Sequence, residues 1–226
     1  MGVDPFRRVG TLSDADDAWC AGIGGLILAD SPTGGRLFAL SPGGDMLLWS
    51  DPERGFSASG QAVVTTGQAW TGSPLLARLE LGGQGALAMR DASGATVLRW
   101  LDGQGRVSAP ETLLRGEGSI NRIGAVAMEN GADLLYWAAP GTAGLSLALR
   151  TADGRLQHLP SQAIDGGGDG ADISGIAAIV RDGSVFLCVA SRGADSVTVL
   201  ELDRMSGATL SASRLGQAEN LAVDQP

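Results

Sequence analysis

Four aspartates, Asp51, Asp102, Asp153 and Asp203, each close an apolar run and stand 51, 51 and 50 residues apart. That period constrains the chain more than any other feature. A recurring stretch of this length is one supersecondary unit that buries its apolar faces by stacking on its own copies. The runs themselves are residues 46–51, 96–102, 145–153 and 197–203. A second apolar stretch precedes each of them, starting at Arg36, Ala86, Leu134 and Val185. A third lies further upstream, at residues 26–28, 79–81, 123–128 and 176–180, and a more polar fourth lies downstream, at 62–65, 112–114, 162–164 and 210–212.

These stretches are too short and too often interrupted to be helices. The chain holds 35 glycines against only 18% charged residues, and glycine in almost every window of a dozen residues works against a helix. Short runs of Val, Leu and Ile bounded by Gly-Gly, Asp-Gly, Ser-Gly and Pro-Gly instead predict strands joined by tight turns. Residues 145–149 and 197–199 alternate with the period of a half-buried strand. The expectation is an all-β, β-propeller-like chain of four four-stranded blades with a period of about fifty residues, at 22–67, 75–116, 120–166 and 172–216. A linear stack or a pair of sandwiches is the alternative architecture. Lone strands expected at 5–14 and 219–226 either complete a ring within the single domain 1–226 or leave its completion to a neighbour.

Val9-Gly10-Thr11-Leu12-Ser13-Asp14, Ala77-Arg78-Leu79-Glu80-Leu81-Gly82-Gly83-Gln84 and Asp172-Ile173-Ser174-Gly175-Ile176-Ala177 carry a resemblance. They resemble the N-terminal propeller-like region of RTX-type, type I secreted, calcium-binding proteins of alphaproteobacteria. The likeness covers most of the chain in its blade layout, and its motifs are small residues and strand-turn rhythm. It implies an extracellular or cell-surface protein, with a cytoplasmic one as the alternative. Family members usually carry glycine-rich calcium repeats and a secretion signal at the C-terminus, and no such tail occurs in these residues. The blade layout is also similar to lactonase-like and WD40-like propellers, superfamilies that include both enzymes and binding modules.

Charge and composition exclude several functions. The 16 basic residues are all arginine, the 25 acidic ones leave a net charge of −9, and no basic stripe is present for a nucleic acid. No apolar run approaches the roughly 20 residues of a spanning helix, and the first residues lack the apolar segment of a cleavable signal peptide. Cys20 and Cys188 stand in apolar surroundings with no metal-ligand spacing, which predicts two packed thiols. With one histidine, His158, no site needing two imidazoles can form, and its place beside Pro160 on an outer strand predicts a surface ring. No G-x-S-x-G elbow and no Gly-Lys-Ser/Thr phosphate loop is present.

What chemistry remains is gathered in loops. Within residues 167–173, Gly167 to Asp172 match the G-G-x-G-x-D core of one copy of the calcium repeat, followed by the apolar Ile173, and Asp169 and Asp172 would supply hard oxygen ligands. A single copy has no neighbouring turn with which to share the ion, so calcium is the one cofactor to consider, against a plain interblade loop. Trp49 and Trp100 recur in the same strand of successive blades and predict packing, whereas Trp70 lies in a Gly- and Pro-bounded loop suited to sugar stacking or a protein hot spot. Loops from fourth to first strands and from second to third strands share one end of a propeller. They carry Trp70, Glu117, Asn121, Arg122, Asp169, Asp172, Arg192 and Asn220, with Asp45, Arg90, Asp91, Asp195 and Glu219 beside them. Mixed carboxylates, amides and guanidinium groups without a reactive nucleophile predict a non-enzymatic recognition module that docks protein or glycan. The alternatives are a lactonase-like hydrolase, with a metal held by Glu117, Asn121 or Asp172, and an assembly subunit that oligomerises through its end blades.

Overall fold

The structure, a computed structural model, describes residues 23–29, 35–40, 46–50, 61–64, 75–91, 93–103, 106–117, 120–140, 142, 144–164, 173–192 and 196–216, with 46–50 and 61–64 by backbone. Every regular element among them is a β-strand, and the strands form four antiparallel sheets. The first holds β1 (Gly25–Ala29), β2 (Arg36–Leu40), β3 (Met46–Ser50) and β4 (Gln61–Val64), and the second β5 (Leu76–Leu81), β6 (Gln84–Arg90), β7 (Thr96–Trp100) and β8 (Glu111–Leu114). The third holds β9 (Arg122–Ala127), β10 (Asp133–Ala138), β11 (Gly144–Arg150), β12 (Leu156–His158) and β13 (Gln162–Ala163). The fourth is β14 (Ile173–Arg181), β15 (Ser184–Ser191), β16 (Ser196–Asp203) and β17 (Thr209–Gly216). Within each sheet the strands lie in chain order, as hairpin-connected meanders must. The expected end strands at 5–14 and 219–226 lie outside the described residues.

Of the recurring aspartates, Asp102 and Asp153 lie in the turns between the third and fourth strands and Asp203 is the last residue of β16, while Asp51 lies outside the described residues. Asp102 Oδ1 accepts the N–H of Arg106 at 2.8 Å, and Asp203 Oδ1 accepts both the N–H and the hydroxyl of Ser206, at 2.7 and 2.6 Å. Asp153 accepts the Thr151 hydroxyl in the corresponding turn. Such local bonds satisfy backbone groups where the ladder stops, which is why an acidic residue recurs there. The β14–β15 hairpin turns on Asp182 and Gly183, both at positive φ (51° and 79°), the conformation a two-residue turn between twisted strands requires.

One expectation needs correcting. A single fourth strand at 162–164 was the simplest reading of the third blade, but its outer edge is two pieces, β12 and β13, both paired with β11. Pro160 lies between them and has no N–H to give the ladder. The Ser161 hydroxyl supplies a donor instead, to the carbonyl of Leu145 at 3.1 Å.

The described strands fall into two compact units. In one, which includes the first sheet and residues 86–115, Ala29, Phe38 and Leu40 pack with Leu87, Met89 and Val97. In the other, which includes residues 79–85 and the third and fourth sheets, Leu134, Tyr136, Leu145, Leu147 and Leu149 of the third sheet bury against Val185, Leu187, Val189, Leu200 and Leu202 of the fourth. All six residues of β10 are buried, so this strand is covered on both faces. β16 and, from Val185 on, β15 instead alternate, with every second side chain buried and the others half-buried.

Candidate functional site

The strand register of the second unit brings several loop residues to one end. Arg122 opens β9 opposite Ala138, so the segment before β9 and the β10–β11 connection share that end. Ile173, at the start of β14, pairs with Ser191, so Arg192 follows at the corresponding end of the fourth sheet.

The two sheets are bonded there. Arg122 Nε donates to the carbonyl of Ser174 at 3.0 Å, and its Nη1 donates to the carbonyl of Asn121 at 2.8 Å. A planar guanidinium held at two points keeps its direction, while the residue as a whole stays exposed. The Asn121 N–H donates to the carbonyl of Ala138 at 3.1 Å, fixing the backbone that carries it. Its side-chain Oδ1 is buried and, among the described residues, has no hydrogen-bond partner. Thr142, in the β10–β11 connection, donates its hydroxyl to Ala139 at 2.7 Å.

Of the residues the sequence singled out, Glu117, Asn121, Arg122 and Arg192 are described. Glu117 lies in the β8–β9 connection and Arg192 just after β15, and both are exposed. Trp70, Asp169, Asp172 and Asn220 lie outside the described residues, as do Asp45, Asp195, Glu219 and Cys20. Asp91 accepts from the N–H and hydroxyl of Ser93 and from the N–H of Ala95, at 2.8, 2.7 and 3.0 Å, which makes it a loop-ordering residue. His158 is exposed on β12 and meets the buried Trp137 edge to face, with centroids 5.8 Å apart. The Trp100 indole is half-buried and donates to Glu111 at 2.8 Å. Cys188 is a free thiol and only half-buried, because β15 presents it on the less covered face of the fourth sheet.

The part played by the Ser174 carbonyl was not legible in the sequence, since a backbone acceptor 52 residues from its donor leaves no mark in residue type. Among the described residues, no group of three or more His, Cys, Asp or Glu is placed to hold a metal ion, and no helix is long and apolar enough to cross a membrane.

No family model and no curated protein matches the sequence. Solved structures do match the fold. A protein from Lactobacillus plantarum superposes with a TM-score of 0.57 at 20% identity, over 83% of this chain and 54% of its own. The WD40 domain of SCAP from fission yeast gives 0.51 at 10% identity, over 88% and 43%. The periplasmic gluconolactonase PpgL of Pseudomonas aeruginosa gives 0.50 at 20% identity, over 84% and 53%. The fold is of the β-propeller type. The chain spans about half the length of these propellers, and at such identities the likeness is one of fold alone. In propeller terms the described sheets correspond to blades, with Asn121 in a fourth-to-first strand loop, Arg122 at the start of the first strand that follows it, and Arg192 in a second-to-third strand loop.

Proposed function

We propose that the chain is a recognition module that docks a polar partner, protein or glycan, through the loop end carrying Asn121, Arg122 and Arg192. The observation behind this reading is the pairing of opposite capacities at one place. Arg122 is an exposed, anchored donor. Asn121 Oδ1, next to it in sequence, is an acceptor with no partner among the described residues. A buried acceptor left unpaired costs about 1–3 kcal/mol, and a turn of the Asn121 side chain that brings Oδ1 to a ligand's hydroxyl or amide donor would recover that free energy. A hydroxyl-rich surface offers donors for Asn121 and acceptors for arginine together. The likeness of residues 9–14 and 77–84 to RTX-type proteins supports a place outside the cell or on its surface.

Binding of the purified chain to a glycan panel and to immobilised extracellular proteins tests the reading. Arg122→Ala and Asn121→Ala are each expected to weaken a genuine interaction about tenfold, the equivalent of ~1.4 kcal/mol. Binding that both variants leave intact would place recognition elsewhere. Metal-dependent lactone hydrolysis by the unmodified chain would replace this reading with an enzymatic one.

A further inference from the structure

At the end of the third and fourth blades opposite Arg122, the turn between β9 and β10 meets the turn between β16 and β17. Three bonds join them. The Glu129 N–H donates to the carbonyl of Arg204 at 3.1 Å, Arg204 Nη1 donates to Glu129 Oε1 at 3.4 Å, and Asn130 Nδ2 donates to the carbonyl of Met205 at 2.7 Å. The Asn130 bond is the shortest of the three, and the ion pair is partly exposed and contributes little. The side-chain carbonyl of Asn130 is engaged too, accepting the N–H of Ala132 at 2.9 Å within its own turn. One amide therefore fixes the turn it stands in and fastens that turn to the next blade.

The same amide has a reactive neighbour. Of the asparagines in the chain, Asn121, Asn130 and Asn220, only Asn130 precedes a glycine. A backbone nitrogen attacks the side-chain carbon of a preceding asparagine most readily when its own residue has no Cβ to obstruct the approach. Gly131 stands at a φ of 81°, nothing lies within 4 Å of where a Cβ would sit, and both residues are exposed. Its N–H donates to the carbonyl of Met128 across 3.3 Å, a long bond that local opening of an exposed turn releases.

We infer that Asn130 is a self-modifying site whose deamidation loosens the tie between the third and fourth blades. The Gly131 nitrogen, losing its proton, bonds to Asn130 Cγ, and the Cγ–Nδ2 bond breaks with release of ammonia to leave a succinimide. Water then opens the ring at either carbonyl. Residue 130 becomes aspartate or, with the main chain rerouted through its Cβ, isoaspartate. Both products lack the donor that the Met205 carbonyl accepts from, and both gain a carboxylate beside Glu129. In the folded chain the two bonds of the amide must open first, so the reaction runs slower there than in the unfolded chain.

The purified chain, aged at mildly alkaline pH in water enriched in heavy oxygen, is digested and the peptide holding Asn130 followed by mass spectrometry, with a urea-unfolded sample alongside. Asn130 is expected to convert in the folded chain, more slowly than in urea and with heavy oxygen incorporated at each event, while Asn121 in the same digest keeps its amide. Hydrogen exchange of the Glu129 N–H, which donates across the same junction, should quicken several-fold in the converted protein and also in unaged Asn130→Asp. Asn130→Gln, whose longer side chain closes the ring far less readily, should age unconverted. An Asn130 that keeps its amide in the folded chain while the unfolded one converts, conversion without heavy oxygen, or Glu129 exchange that neither conversion nor Asn130→Asp alters would each overturn the inference.

Discussion

The N–H of Gly82 donates to Oδ2 of Asp133 across 2.9 Å, joining two residues 51 positions, one repeat, apart. Gly82 lies in the β5–β6 turn and Asp133 is the first residue of β10, so the bond ties a hairpin to the blade that follows. Asp133 is only 5% exposed, and burial pushes its carboxyl above the ordinary value of 3.8, against the opposing pull of the Gly82 N–H and the Arg150 charge. A raised carboxyl contributes its stability fully below the unfolded value and loses it as pH rises through the folded one. Asp133→Asn, which keeps an acceptor for Gly82, is expected to remain within about 1 kcal/mol of the parent at neutral pH and to lack that loss. Asp133→Ala, which keeps none, should cost ~1 kcal/mol or more. Urea unfolding of the three proteins between acid and neutral pH compares them, and equal pH slopes for parent and Asp133→Asn would remove Asp133 as the cause.

The aspartates that close the third strands behave in the opposite sense. Hydrogen bonds from Ser206 hold Asp203 below the ordinary carboxylate range, and bonds from Thr151 and the Arg155 N–H do the same for Asp153. A lowered carboxyl contributes stability above the unfolded value, and that contribution disappears as pH falls through the folded one. Asp203→Ala should therefore lower the thermal midpoint at neutral pH, and the gap between variant and parent should narrow in acid. Melts at two pH values decide the point, since a gap of constant size means the ionised form is not what matters.

Gly124 and Tyr136 face one another on adjacent strands, β9 and β10. A Cβ placed on Gly124 would run into the Tyr136 ring, which occupies the space that any larger residue needs. Gly124→Ala is expected to destabilise by about 1–3 kcal/mol through overpacking, and Gly124→Ala with Tyr136→Leu to recover part of that loss. A double-mutant cycle in urea measures the coupling, and strictly additive effects would contradict it.

Leu200 and Leu210 are the same residue type on neighbouring strands with opposite surroundings. Leu200 is 1% exposed between the third and fourth blades, and Leu210 is 58% exposed on β17. Truncation of Leu200 to alanine should cost roughly 2–5 kcal/mol, and truncation of Leu210 within about 0.5 kcal/mol of nothing. Denaturant midpoints for both variants test the blade packing directly, because comparable losses would mean that the covered face has been misplaced.

Where interactions are local, residue type and spacing were sufficient to read them. Met46–Ser50, Gly144–Arg150 and Ser196–Asp203 are strands where apolar runs predicted strands, and Asp102, Asp153 and Asp203 accept hydrogen bonds from partners within four positions. An alternating pattern and a turn aspartate express their free energy within a few residues, so the chain order of strands, the hairpins and the period follow from them. The tertiary structure decided what crosses from one blade to the next. Arg122 was legible as a loop-end arginine, but its anchor on Ser174 was not, nor was the bond between Gly82 and Asp133, because each depends on how two sheets lie against each other. Phe186 and Val199 lie in apolar runs just as Leu134 and Leu147 do. Only packing shows that the second pair is buried beneath a neighbouring blade while the first is left half-covered, since burial belongs to the arrangement of the blades and leaves no mark in the order of residues within them.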